Sequence, residues 1–190
     1  MGRTTEAADT AIKTPSITEA TGLADIETAR QLFLAYAASL PISLDFQGFD
    51  AELAGLPGKY APPGGTILLA RAGEQSPADG QPMPDARPAG CVAAGCVAVR
   101  PLKPAGVCEM KRLYVLPEYR KLHLGRALAK AAITWADDAG YHAMRLDTLP
   151  SMTTAVALYK SLGFADIAPY CANPHAGTRF LELMLRHAPR

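Results

Sequence analysis

The chain has 190 residues, of which 49% are hydrophobic and 19% charged, with a formal net charge of +1. This balance suits one globular domain with a real core and excludes the broad basic surface of a general nucleic-acid binder. No apolar run approaches the ~20 residues of a bilayer span, and the first residues lack the apolar segment of a secretory leader, so the expectation is a cytoplasmic protein with no membrane partner.

Residues 1–14 carry no apolar periodicity and read as a flexible N-terminal arm, which leaves 15–190 as a single domain. Residues 16–20 suit a short strand. Residues 23–40 read as a helix, because Ile26, Ala29, Leu32, Phe33, Tyr36, Ala37 and Leu40 recur at three-four spacing, and Pro41 stops it. A short helix over 49–54 ends before Gly55 and Pro57, and the Pro- and Gly-rich stretch 56–65 is a loop. Residues 66–71 form a compact apolar strand. The segment 72–89, dense in Gly, Pro, Asp and Gln, reads as a long exposed hairpin loop. Strands over 91–100 and 107–116 flank a turn at 101–106. A helix over 124–139 puts Leu124, Leu128, Ala131, Ala132 and Trp135 on one stripe and closes at Gly140. A strand over 142–147 follows, then a helix over 151–161 with Ser151 as N-cap and Gly163 past its end. Strands over 164–167 and 178–185 complete the order.

Three strands joined by turns argue for antiparallel pairing, and the later strand-helix-strand step argues for a parallel crossover. The expected fold is α/β in the mixed sense: a central, mostly antiparallel mixed sheet with helices on both faces.

Chemistry concentrates in one stretch. Glu109 to Leu128 reads as a strand, a basic turn and the start of a helix. Between Lys111 and Lys130 six basic residues face a single acid, Glu118. A turn of this kind aims backbone N–H groups, the positive end of the helix dipole and cationic side chains at one spot, which suits a phosphorylated ligand. Simple solvation of those cations is the plain alternative. No G-x-G-x-x-G follows a strand, so a dinucleotide fold is disfavoured. Cys91, Cys96, Cys108 and Cys171 fit neither a zinc nor a CxxC spacing, and no metal is expected. They read as small buried residues, with a reactive thiol at Cys108, beside Glu109, as the alternative.

The element order and three local patterns resemble the GNAT acyltransferase superfamily, which transfers an acyl group from acyl-CoA to an amine. The patterns are Leu113-Tyr114-Val115 followed by Arg120 to Gly125, the strand Met144-Arg145-Leu146-Asp147, and Leu158-Tyr159-Lys160-Ser161-Leu162-Gly163-Phe164. The resemblance covers Cys91 to Phe164 well and the rest by element order. It implies acetyl-CoA as co-substrate, held by Leu113, Tyr114, Val115, Arg120, Lys121, Leu122, His123, Leu124, Gly125 and Arg126. His123 stands where relatives carry a glycine, and Lys121 where a further glycine is frequent. Met152 replaces a common Asn at the pantetheine arm, with Thr153 or Thr154 beside it.

The resemblance also makes Tyr159 the general acid toward the leaving thiolate, the alternative being a core tyrosine. Glu109 is the expected base. The alternative is an ion pair with Lys111 or Arg145, Asp147 being a further member of such a pair. Strand alternation places Glu109, Lys111 and Leu113 on one face. A backbone N–H of Tyr114 or Val115 is expected to hold the oxyanion where the family's strand splays from its neighbour. The acceptor end is expected at Phe33, Tyr36, Phe46 and Phe49, facing Tyr170 and Asn173. Lys111 and Arg112 suggest a small amine with an acidic group, such as an amino acid. The expected function is therefore N-acetylation of a small amine by direct transfer. A non-catalytic acyl-CoA sensor is the alternative, and homodimer formation is an analogy with family members.

Overall fold

The computed structural model describes residues 15–73 and 91–186. The arm at 1–14 and most of the hairpin loop at 72–89 lie outside the described residues.

Seven strands form one sheet: β1 (Ser16–Glu19), β2 (Thr66–Gly73), β3 (Cys91–Leu102), β4 (Val107–Val115), β5 (Ala143–Thr148), β6 (Ala165–Ile167) and β7 (Arg179–Met184). Their spatial order is β1-β2-β3-β4-β5-β7-β6. Every neighbouring pair is antiparallel except β4 and β5, which run parallel across a helical crossover. The helices are α1 (Leu23–Ala38), α2 (Phe49–Ala54), α3 (Leu124–Asp138) and α4 (Thr153–Ser161). Short 3-10 segments occur at Asp45–Gln47, at Gly58–Tyr60 inside the stretch read as loop, and at Pro117–Leu122 inside the basic turn. The expected N-cap Ser151 is displaced: Met152 precedes α4 and makes no side-chain cap.

The central strands are apolar on both sides, so alternation feeds two cores. Leu68, Ala70, Val97, Val99, Cys108 and Met110 pack with α3 residues Leu124, Leu128 and Ala132 and with Tyr159 of α4. Ile67, Leu69, Cys96 and Ala98 pack on the opposite face with Ala29, Leu32 and Phe33 of α1 and with Phe49 and Leu53 of α2.

Two irregularities of β4 open the sheet. Cys96 opposes Tyr114 but Ala98 opposes Lys111, so Arg112 and Leu113 share one partner position in a β-bulge. Arg112 accordingly takes a left-handed φ of 57°. The bulge reverses the alternation. Glu109, Lys111 and Arg112 face the α1–α2 side, whereas Leu113 packs against the α3 core, which corrects the expectation that Leu113 shares their face. Second, β4 pairs with β5 only through Val107, Cys108 and Glu109. β5 continues along β7 to Thr148, so the later halves of β4 and β5 part and leave a gap.

Candidate active site

The turn after β4 ends at His123, whose φ of 56° and ψ of 18° are left-handed. That is the region where an L side chain is disfavoured, which explains physically why a glycine suits the position. The imidazole stays exposed and is not part of the cleft wall. The first bonds of α3 run from the Arg126 and Ala127 N–H groups to the His123 carbonyl. As in any first helical turn, the amides of Leu124 and Gly125 are left for a ligand.

Beside this helix start lies a cleft of about 510 Å³, lined by Leu113, Tyr114, Val115, Arg120, Gly125, Met152 and Thr153 among others. A Cβ placed on Gly125 would meet nothing nearer than Val115 at 3.9 Å, so the backbone is open to close approach there. Arg120 donates its Nε–H to the Val115 carbonyl at 3.2 Å and belongs to the cleft wall. An elongated thioester with a diphosphate fits this wall: cation and amides at one end, apolar side chains along the rest. Of the remaining expected contacts, Lys121, Leu122, His123 and Arg126 are exposed and absent from the wall. Leu124 buries its side chain in the core. Arg126 instead reaches Ser161 Oγ at 2.7 Å, tying α3 to α4.

The cleft shares Tyr36, Leu40, Leu113 and Met152 with a smaller cavity of about 50 Å³ at the β4–β5 gap. Tyr159, Asp147, Lys111, Arg112, Phe46, Gln47 and Asn173 lie on its wall. Tyr159 is only 8% exposed, and burial, assisted by Tyr36 and Asp147, pushes its phenol up, so it is protonated at neutral pH. Among the described residues its hydroxyl has no hydrogen-bond partner. Leu116 N–H bonds the Ala94 carbonyl of β3, so alternation turns the Val115 N–H, and not that of Tyr114, toward the gap.

Asp147 is held between Lys111 Nζ and Asn173 Nδ2, both at 3.0 Å. Burial acts to raise its pKa, but the Lys111 charge and the two hydrogen bonds outweigh it and hold the carboxyl below its ordinary range. Glu109 is placed differently. It is 1% exposed and absent from the cavity wall. Its Oε2 pairs with Arg100 at 2.6 Å, its Oε1 accepts the Tyr170 hydroxyl at 2.7 Å, and Lys111 stands 3.9 Å away. The geometry thus favours the ion-pair alternative for Glu109, with Arg100 as a partner that spacing along the sequence did not reveal. Arg145 pairs with Glu182 instead.

The acceptor-side expectations divide. Tyr36, Phe46, Lys111, Arg112 and Asn173 line the cavity. Phe33 is 0% exposed in the core and Phe49 is buried beneath Arg112, so neither reaches it. Tyr170 stands behind the wall on Glu109. Arg112 is committed: Nε and Nη2 each reach Glu52 at 2.8 Å, and its guanidinium lies over Phe49. Glu52 was missed because α2 lies 60 residues before its partner, and no local pattern links them. The Cys108 thiol points into the α3 core, donates to the Ala143 carbonyl and is pushed up to about 12 by burial, which removes it as a nucleophile. Cys96 is buried, whereas Cys171 is exposed, against expectation. Among the described residues no cluster of metal-ligating side chains occurs, and no helix is long and apolar enough to cross a membrane.

Residues 66–164 match the model of the Acetyltransferase (GNAT) family. An N-acetyltransferase of Schizosaccharomyces pombe is 40% identical over 159 residues, 84% of this chain and 88% of that protein. A GNAT-family acetyltransferase structure from Staphylococcus aureus Mu50 superposes with a TM-score of 0.67 at 19% identity, covering 90% of this chain and 99% of that one. A Salmonella typhimurium structure containing its cofactor acetyl-CoA gives 0.60 at 17% identity, covering 94% and 98%. The chain belongs to the GNAT acetyltransferase family. It is an acyl-CoA-dependent N-acyltransferase, which sets the non-catalytic sensor aside.

Proposed function

We propose that the enzyme transfers an acetyl group from acetyl-CoA to the amine of a small molecule bearing an acidic group, directly and within a ternary complex. One observation carries the reading: Tyr159 and Asp147 share the wall of a small cavity that adjoins the large cleft at Tyr36, Leu40, Leu113 and Met152. When bound, the thioester supplies the acyl carbon and a thiolate leaving group. Arg120 and the amides of Leu124 and Gly125 hold the diphosphate, while Leu113, Val115, Met152 and Thr153 guide the tail. Asp147, an anion at the cavity wall, holds the incoming ammonium and takes the proton whose loss frees the nitrogen lone pair for attack. The Val115 N–H donates to the oxygen on which charge develops. Tyr159 gives its phenolic proton to the departing sulfur. Glu109, fixed by Arg100, acts through Lys111 and is a positioning residue.

The test is thiol release from acetyl-CoA across a panel of amines, with intact-mass measurement of the enzyme. The reading expects amine-dependent thiol release, strongest with acidic amines, and no acetylated protein on the path. Release confined to polyamines rejects the acceptor class. A stable acetyl group on Cys108 rejects direct transfer.

A further inference from the structure

Asp147 sits where the sheet has come apart. β4 pairs with β5 only as far as Glu109 and Arg145, whereas β5 stays paired with β7 through Asp147 and Phe180. The Asp147 side chain is 9% exposed and stands on the cavity wall. Two side chains from different elements hold it there. Lys111 Nζ of β4 meets Oδ1, and Asn173 Nδ2 of the loop between β6 and β7 meets Oδ2, each at 3.0 Å. An ionised carboxylate accepts about four hydrogen bonds, so each oxygen keeps a lone pair for an ammonium.

The two contacts differ in kind. Lys111 is a point charge on a flexible stem. Asn173 is a planar amide whose orientation is set by its own loop. Its Oδ1 accepts the His175 N–H at 3.0 Å, a bond that Asn makes readily to the backbone two residues on. With Oδ1 so engaged, the NH2 group has to face Asp147. Turning the amide over would set oxygen against the carboxylate and NH2 against the His175 N–H, losing both bonds. Neighbours on each side of Asn173 fix the loop. The Tyr170 hydroxyl donates to Glu109 Oε1 at 2.7 Å, and the His175 carbonyl accepts the Thr178 hydroxyl at 2.8 Å. The His175 ring makes a T-shaped contact with Phe46, centroids 5.1 Å apart.

We propose that Asn173 is a positioning residue: the loop between β6 and β7 presents its amide so that the Asp147 carboxylate is held at one angle toward the acceptor amine. The inference rests on the transferase reading above, in which Asp147 takes the proton of the amine. The same bond favours the charged form and acts with Lys111 to hold the Asp147 carboxyl low. The other titratable side chains near Asp147 are Tyr36 of α1, Tyr159 of α4, and Tyr170 and Cys171 of the loop, all pushed toward their neutral forms by burial. Glu109 lies beyond Lys111.

Asn173→Asp is the decisive variant. It keeps the shape and the acceptor for His175 N–H, and with them the loop turn, but sets a second carboxylate against Asp147. Asn173→Ala removes both bonds. The Asp147 carboxyl is titrated by 13C NMR on the full chain labelled at Asp Cγ, its resonance assigned by its loss in Asp147→Asn. The pH profile of kcat/KM is measured with saturating acetyl-CoA and the fastest acceptor among glycine, β-alanine, glutamate and spermidine. The Asp147 midpoint and the acid limb of the profile are expected to rise together, by about one unit in Asn173→Ala. They rise further in Asn173→Asp, where the two carboxylates titrate as a pair. In that variant kcat at neutral pH falls ~10-fold or more with the KM for acetyl-CoA little changed, the mark of a misplaced proton acceptor. A role confined to the loop leaves the midpoint where it is, and an unmoved midpoint in Asn173→Asp overturns the inference while the transferase reading stands. So does a raised midpoint with an unmoved acid limb. Full turnover in Asp147→Asn overturns both. If none of the four amines is acetylated, the acceptor class proposed above is rejected and the midpoint still decides the inference. Thermal melting separates misfolding from lost positioning.

Discussion

Asp147 and Glu109 stand on adjacent strands with Lys111 between them, and they differ in what they touch. Both carboxylates have both oxygens bonded, but Asp147 stands on the cavity wall and Glu109 does not. Asp147→Asn is therefore expected to lower kcat/KM by ~10²–10⁴, the usual range for a lost acid-base group. Glu109→Gln should cost less in rate and more in stability, because it strands the Arg100 charge. Lys111 is one of the groups that hold the Asp147 carboxyl low, so Lys111→Met must raise it. The acid limb of the kcat/KM profile then moves to higher pH, and an unmoved limb argues against Asp147 as the proton acceptor. The place of Tyr159 before Gly163-Phe164 singled it out in the sequence, and its side chain does line the cavity. That Asp147 lines it and Glu109 does not could not be read, because residue spacing does not say which of two carboxylates meets a gap in the sheet.

At the scale of elements, β4 and the turn after it do most to shape the site. Strand, helix and strand positions could be read from apolar periodicity, which two solid cores make strong. The bulge could not. It sets Arg112 and Leu113 opposite one position of β3 and turns Arg112 toward Glu52, a residue 60 positions earlier that no local pattern links to it. Alternation read straight through 109–113 therefore put Leu113 on the wrong face. His123 shows the same limit in reverse: the departure from glycine was visible, but its left-handed backbone was not. His123→Gly should relieve that strain, a gain of up to ~1 kcal/mol after the entropy of glycine is set against it. The expected result is a higher Tm with acetyl-CoA affinity retained. A lower Tm would show that the imidazole makes a compensating contact.

For the whole molecule, the Glu52–Arg112 pair ties the α1–α2 layer to the central sheet. Glu52→Ala leaves a buried guanidinium on a left-handed backbone, and is expected to cost about 3 kcal/mol by urea unfolding, the low end for a buried pair because Glu52 keeps some solvent. The pH dependence follows from sign. Burial pushes Glu52 and Asp147 up, but their cationic and hydrogen-bonding partners prevail and hold both below the unfolded value. Their stabilisation is thus fully present above the unfolded carboxylate range, ~4, and is lost as pH falls through the lower folded values. The urea midpoint should drop steeply on acidification, and less so in Glu52→Gln. The central claim concerns the junction of cleft and cavity, and Tyr159→Phe tests it most directly. Acetyl-CoA affinity by calorimetry and amine-dependent thiol release are measured on the same preparation. The account predicts near-normal affinity with turnover reduced by ~10²–10⁴. Full turnover in Tyr159→Phe would contradict it.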